Sequence, residues 1–146
     1  MLIYPGALAL QGDEPAASVE ELFRRNGWSG AWRNGIYSYH HYHSTAHEVL
    51  GCFSGSAKVQ FGGEKGFIEE FSAGDVVLIP AGVAHMNLGA SRDFGVVGAY
   101  PEGQDYDMNE GEESERPKAD QNILRVPLPK SDPVFGKDGP LVQLWK

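Results

Sequence analysis

A single cysteine, Cys52, stands in 146 residues, so no internal disulfide can form and a reducing compartment is consistent with the sequence. No apolar run approaches the roughly 20 residues that a membrane-spanning helix requires, so no membrane partner is expected. The apolar start, Met1–Leu10, has no basic leader and is broken by Pro5 and Gly6, which argues against a signal peptide and leaves the cytoplasm as the expected location. Basic residues are also scarce, 12 Lys and Arg against 20 Asp and Glu for a net charge of -8. Without a basic stripe the chain lacks the counterion-release contribution that dominates nucleic-acid affinity, and no DNA or RNA partner is expected.

Helix signals are few. Ser18 and Glu21 have the spacing of a capping box, Leu22 and Phe23 supply an apolar face and Gly27 can end the segment, which predicts about two turns of helix. That is too little helix for a helix-turn-helix unit.

What is present is a composition of 41% hydrophobic residues in a length that suits one domain over 1–146. From Gly35 to Tyr100 short β-like runs are separated by glycine: Ile36–His43, Glu48–Ser54, Ala57–Phe61, Phe67–Phe71, Asp75–Ile79, His85–Leu88 and Phe94–Tyr100. Such a succession predicts an all-β antiparallel sandwich or barrel, with a jelly roll as one way to close it. The core is expected at about 35–100. Residues 101–122 carry eight acidic side chains between Glu102 and Asp120 against Arg116 and Lys118, and read as a solvated acidic loop. The tail, 123–146, holds four prolines and the apolar patches Val134-Phe135 and Leu141–Trp145, and is expected to lie extended on the barrel or on a neighbouring subunit. Trp28, Trp32 and Trp145 in so small a chain point to a homodimer, the commonest closed assembly.

All five histidines fall in two short runs, with His41, His43 and Glu48 in the first and His85 in the second. Alternation along a strand puts His41 and His43 on one side together with Tyr37 and Tyr39, and turns His40 and Tyr42 away. An antiparallel return would bring Glu48 beside that pair. The Pro80-Ala81-Gly82 turn would aim His85 at the same point. Three nitrogens and one oxygen then converge as ligands for one divalent transition metal, for which Fe, Mn, Ni, Co and Zn all suit mixed imidazole and carboxylate ligation. His47 adjoins Glu48 and faces the other way, so it reads as a surface residue or a partner of the ligands rather than a ligand. Tyr39 is a candidate substrate contact. Cys52 reads as a buried inert thiol, and Lys58, if it faced inward, would favour an anionic substrate.

The spacing Gly35-x5-His41-x-His43-x4-Glu48-x6-Gly55, followed by Gly74-x5-Pro80-x-Gly82-x2-His85, resembles the two motifs of the cupins over roughly Gly35 to Gly89. The second motif usually ends in Asn four residues after its histidine, where this chain has Gly89, with Asn87 nearby. The flanks, among them Arg33-Asn34-Gly35 and Gly98-Ala99-Tyr100-Pro101, look most like small bacterial cupins of the YjlB-like kind. The resemblance implies a double-stranded β-helix and ligation by His41, His43, Glu48 and His85. It also implies a metal-dependent enzyme of dioxygenase or isomerase type acting on a small molecule, with a non-catalytic ligand-binding module or a structural oligomer with a vestigial site as the alternatives.

Overall fold

Glu48, Leu50 and Cys52 share one face of their strand and Val49 and Gly51 the other, yet Glu48 through Cys52 are all buried. The reason is layering on both sides. The computed structural model describes residues 1–146 and contains eight strands: β1 (Leu2–Tyr4), β2 (Trp28–Asn34), β3 (Glu48–Ser54), β4 (Ser56–Phe61), β5 (Phe67–Ser72), β6 (Val76–Ile79), β7 (His85–Ala90) and β8 (Gly95–Pro101). A five-stranded sheet runs β1-β6-β3-β8-β2 and a three-stranded sheet runs β5-β4-β7, with every pairing antiparallel. The fold is an all-β jelly roll. No helix is long and apolar enough to cross a membrane.

Between the sheets lie Leu50, Cys52, Val59, Phe61, Val77 and Val96. Outside the larger sheet, Val49, Leu78 and Val97 meet a second apolar layer made by Val19 and Phe23 of helix α1 (Pro15–Arg25), by Trp28 and by Leu141. A Cβ at Gly51 would stand 2.9 Å from both Phe23 and Val19, so the absent side chain sets how closely α1 approaches. Burial pushes the Cys52 thiol up to about 11, which fits the inert thiol expected from sequence. Lys58 points to solvent while Ala57, Val59 and Phe61 point inward, as apolar-inward patterning predicts.

Four expectations need correction. The capping box does not form: α1 starts a turn earlier at Pro15, the Ser18 hydroxyl donates to the Pro15 carbonyl at 2.8 Å, and Glu21 pairs with Arg24. Proline at the first helical position sacrifices only an N–H that would lack a partner anyway. The expected strand Ile36–His43 is mostly irregular, with only isolated bridges at His41 and Tyr42, and the strand of this region is β2, one segment earlier. Its register shifts between Ser29 and Trp32, and Gly30 at φ +68° takes up the irregularity, which hides the alternation.

The acidic segment is not simply solvated. Glu110, Glu112 and Glu113 are exposed, but Asn109 is buried and joins Tyr42 through paired backbone hydrogen bonds of 2.9 and 3.0 Å. The segment ends in a short helix, α2 (Lys118–Ile123). The tail packs on the barrel, though not as an extended strand: it folds around the buried Asp132 and closes with helix α3 (Pro140–Leu144), whose Leu141 is fully enclosed.

Candidate metal centre

His41 and His85 sit opposite one another as a backbone-bonded pair, His41 N–H to His85 O at 3.2 Å and His85 N–H to His41 O at 3.0 Å. This places their rings 4.1 Å apart, centroid to centroid. Two residues on, His43 O accepts from Gly82 N–H at 2.8 Å, so the segment carrying both first-run histidines is stitched to the turn that leads into β7. That turn needs Gly82, whose φ is +90°. It is also held by His47, which is buried and accepts the Ala81 N–H at its Nδ1 at 3.0 Å. His47 therefore supports the segment that aims His85 and is no part of the cluster itself.

One donor atom from each of His41, His43 and His85 lies within 4.8 Å of the others, and all three residues are buried. Glu48 enters from the first position of β3, with Oε2 3.3 Å from His43 Nε2 and Oε1 3.2 Å from His85 Nε2. The four residues singled out from sequence converge.

The other side of each ring explains what the cluster is prepared for. His41 Nδ1 lies 3.1 Å from the Tyr39 carbonyl, His43 Nδ1 2.5 Å from the Asp107 carbonyl and His85 Nδ1 3.4 Å from the Val83 carbonyl. A carbonyl only accepts, so each Nδ1 donates, and a ring without a second proton then presents its Nε2 lone pair inward. Lone pairs of nitrogen and carboxylate then face each other at close range, and Glu48 Oε1 is buried with no hydrogen bond at all. An inward-facing set of acceptors with an orphaned oxygen fits a cation at its centre.

Electrostatics supports this at His41 and runs against it at His43. Burial, and next the proximity of His85, lowers the His41 imidazole to about 4, so its lone pair is free at neutral pH. Burial would lower His43 too, but the adjacent Glu48 carboxylate, helped by the Asp107 carbonyl, more than reverses this and leaves it raised, so a cation bound here would displace a proton that Glu48 favours on Nε2. For Glu48 burial opposes charge, and His43 and His85 together still hold the carboxyl well below the usual carboxylate range.

Three residues that sequence reasoning did not assign to the site complete it. The Tyr100 hydroxyl donates to Glu48 Oε2 at 2.9 Å and accepts from Trp32 Nε1 at 2.7 Å. Trp32 lies over Gly98, where any Cβ would collide with the indole. Asp107 fixes His43 through its carbonyl, and its carboxylate accepts from Ser44 N–H at 2.6 Å and from the Ser44 hydroxyl. The signal available for Tyr100 was its place on a strand that pairs with the ligand-bearing strand, whereas a main-chain acceptor such as Asp107 O leaves no trace in side-chain identity. Tyr39, the expected substrate contact, is exposed and stacked on Tyr37 at 5.0 Å, and it is Tyr37 that lines the cavity.

Because partners behind the ligands hold them in place, Tyr100→Phe should weaken divalent-metal affinity about 10–100-fold while leaving the circular dichroism spectrum unchanged. Competition against a chromogenic chelator measures this. An affinity within twofold of the parent would show that the carboxylate keeps its position without the hydroxyl.

The family model described as "Cupin" matches residues 33–100, the segment that carries His41, His43, Glu48 and His85. Bacillus subtilis has a relative, the uncharacterized protein YjlB, that is 45% identical over 145 residues, covering 99% of this chain and 85% of the relative. Among solved structures, acireductone dioxygenase from Bacillus anthracis, with a cadmium ion in its active centre, aligns with a TM-score of 0.46 and 18% identity, covering 69% of this chain and 73% of that one. The coconut allergen cocosin aligns with a TM-score of 0.47 and 21% identity over 55% of this chain, which spans only 23% of the allergen's length. With its two histidine-bearing segments, its jelly-roll sheets and its full-length relative, the chain belongs to the cupin family.

Proposed function

We propose that the protein holds one divalent transition metal through His41, His43, Glu48 and His85 and uses it to transform a small molecule, by oxidation of the dioxygenase type or by isomerisation. One observation carries the reading: three imidazoles, each committed at Nδ1 to a backbone carbonyl, direct Nε2 at a common centre beside a buried carboxylate oxygen that has no partner. Turning four acceptors toward one another costs stability, and a cation between them reverses the cost. A bound ion would supply Lewis-acid polarisation or redox chemistry.

The chain's own residues have separate tasks. Tyr100 directs its proton to Glu48 and receives one from Trp32, so it orients the carboxylate instead of serving the substrate. Tyr106 packs edge-on against His43 at 5.1 Å and flat against Tyr100 at 4.7 Å, shielding this side of the cluster from water.

Adding a divalent metal in excess to metal-free protein should raise the melting temperature, because a ligand at 100 times its Kd stabilises by about 2.7 kcal/mol. No shift with Fe, Mn, Ni, Co or Zn would favour a vestigial site. For the catalytic part, Fe(II)-loaded protein is screened by oxygen consumption over catechols, thiols and keto acids, and in parallel for isomeric products by mass-balanced chromatography. Turnover in neither assay would favour a binding module.

A further inference from the structure

We propose that the cavity above the cluster takes a one-ended ligand: a molecule with a single metal-binding end and a flat, uncharged body, together about ten non-hydrogen atoms. The proposal rests on the metal reading above. Size gives the first constraint. The cavity has a volume of about 340 Å³, at the small end for ligand sites and roughly eleven times the share of one water in the liquid.

The walls give the second. Trp32, Tyr37, Tyr100 and Tyr106 surround the space together with Ile36 and Leu50. At the rim, Tyr37 is 52% exposed, Tyr106 49% and Met108 41%, although each is large and apolar. A flat apolar body lying against them would remove that surface from water and meet aromatic groups in their preferred packing. Methionine adapts its shape to whatever fills the remaining gap.

Charge gives the third. Arg33 is the only lysine or arginine along the cavity, and its guanidinium is already engaged by Glu20, with Nε at 2.8 Å, and by Glu14 at 3.7 Å. Lys58, the cation whose inward orientation would have favoured an anionic substrate, faces solvent. A negative group on the ligand therefore finds no free lysine or arginine in the cavity, and the metal is its one cationic partner. A second carboxylate or a phosphate at the far end would lose part of its water against aromatic walls and gain no cation in return. Molecules with an anionic group at each end are disfavoured on this ground, while a ring bearing one chelating group is admitted.

The test uses probes with one common chelating head. Co(II) is first titrated into metal-free protein, and the loaded protein is then examined by calorimetry with acetohydroxamate, benzohydroxamate and 4-carboxybenzohydroxamate. Benzohydroxamate should bind at least about tenfold more tightly than acetohydroxamate, a difference of about 1.4 kcal/mol, and about tenfold more tightly than its carboxylated analogue. Tyr37→Ala should shrink the benzohydroxamate-to-acetohydroxamate ratio. Equal affinities for the three probes, or tightest binding by the carboxylated one, would overturn the ligand proposal and leave the metal centre standing. Absence of stoichiometric Co(II) uptake would instead overturn the metal reading, and the ligand proposal with it.

Discussion

His43→Ala is expected to abolish metal binding, lowering affinity by more than about 100-fold, while the barrel remains folded. The loss should exceed the 10–100-fold that follows from disturbing a residue behind the ligands, because here a donor atom itself is removed. His43 is the member of the cluster with most connections: Nε2 beside Glu48 at 3.3 Å, Nδ1 on the Asp107 carbonyl, and Tyr106 and Tyr100 against its ring edges. Its removal leaves only three ligands and frees Glu48 from one of the two imidazoles that hold its charge. The fold should survive because the apolar layers lie elsewhere, around Leu50 and Phe61 between the sheets and around Phe23 and Leu141 outside them. His40→Ala supplies the control, since that side chain stands outside the cluster and should leave occupancy intact. Elemental analysis after dialysis reads both. Full occupancy in His43→Ala, or equal loss in the two variants, would reject the assignment.

Asp132→Ala should cause the largest loss of stability, on the order of 3 kcal/mol or more. Its carboxylate is fully buried and accepts from Val134 N–H at 2.9 Å, Phe135 N–H at 3.0 Å, Leu141 N–H at 3.1 Å and the Tyr4 hydroxyl. Alanine deprives all four donors of their acceptor, and a donor left unpaired costs about 1–3 kcal/mol where it is buried, as at Leu141, and less at the part-buried bonds from Tyr4, Val134 and Phe135. The tail would then release Leu141 from the outer apolar layer and loosen the cover over α1 and β1. Urea unfolding measures the total, and limited proteolysis tests whether cleavage begins after residue 130. Asp132→Asn keeps an acceptor oxygen and should lose less. An Asp132→Ala midpoint equal to that of the parent would show the tail to be held by apolar contact alone.

The convergence of His41, His43, Glu48 and His85 was legible in the sequence because a shared site constrains residue types and their spacing, and both survive in the text as His41-x-His43 and Glu48. The inner and outer faces of β3 and β4 were legible for the same reason: alternation is periodic. Where conformation depends on irregular backbone, that reading failed. The Gly30 irregularity in β2 breaks the alternation, and Ile36–His43 looks like a strand while making only two bridges. Tyr100, Trp32 and Asp107 act on the ligands from 52, 16 and 64 residues away from Glu48 or His43, a proximity created by the barrel and invisible to local pattern. The acidic segment misled most, since its charge suggested solvent exposure throughout while one main-chain oxygen within it holds a ligand in place.

That oxygen has an evolutionary consequence. Because the atom steering His43 belongs to the peptide unit of residue 107, a point substitution there cannot delete the acceptor, although it would remove the carboxylate that ties this unit to Ser44. An inserted or deleted residue between Pro101 and Asp107 would carry it off. Related chains can therefore change letters at the exposed positions of this stretch and still keep the imidazole oriented, provided that the distance spanned by the chain is kept the same.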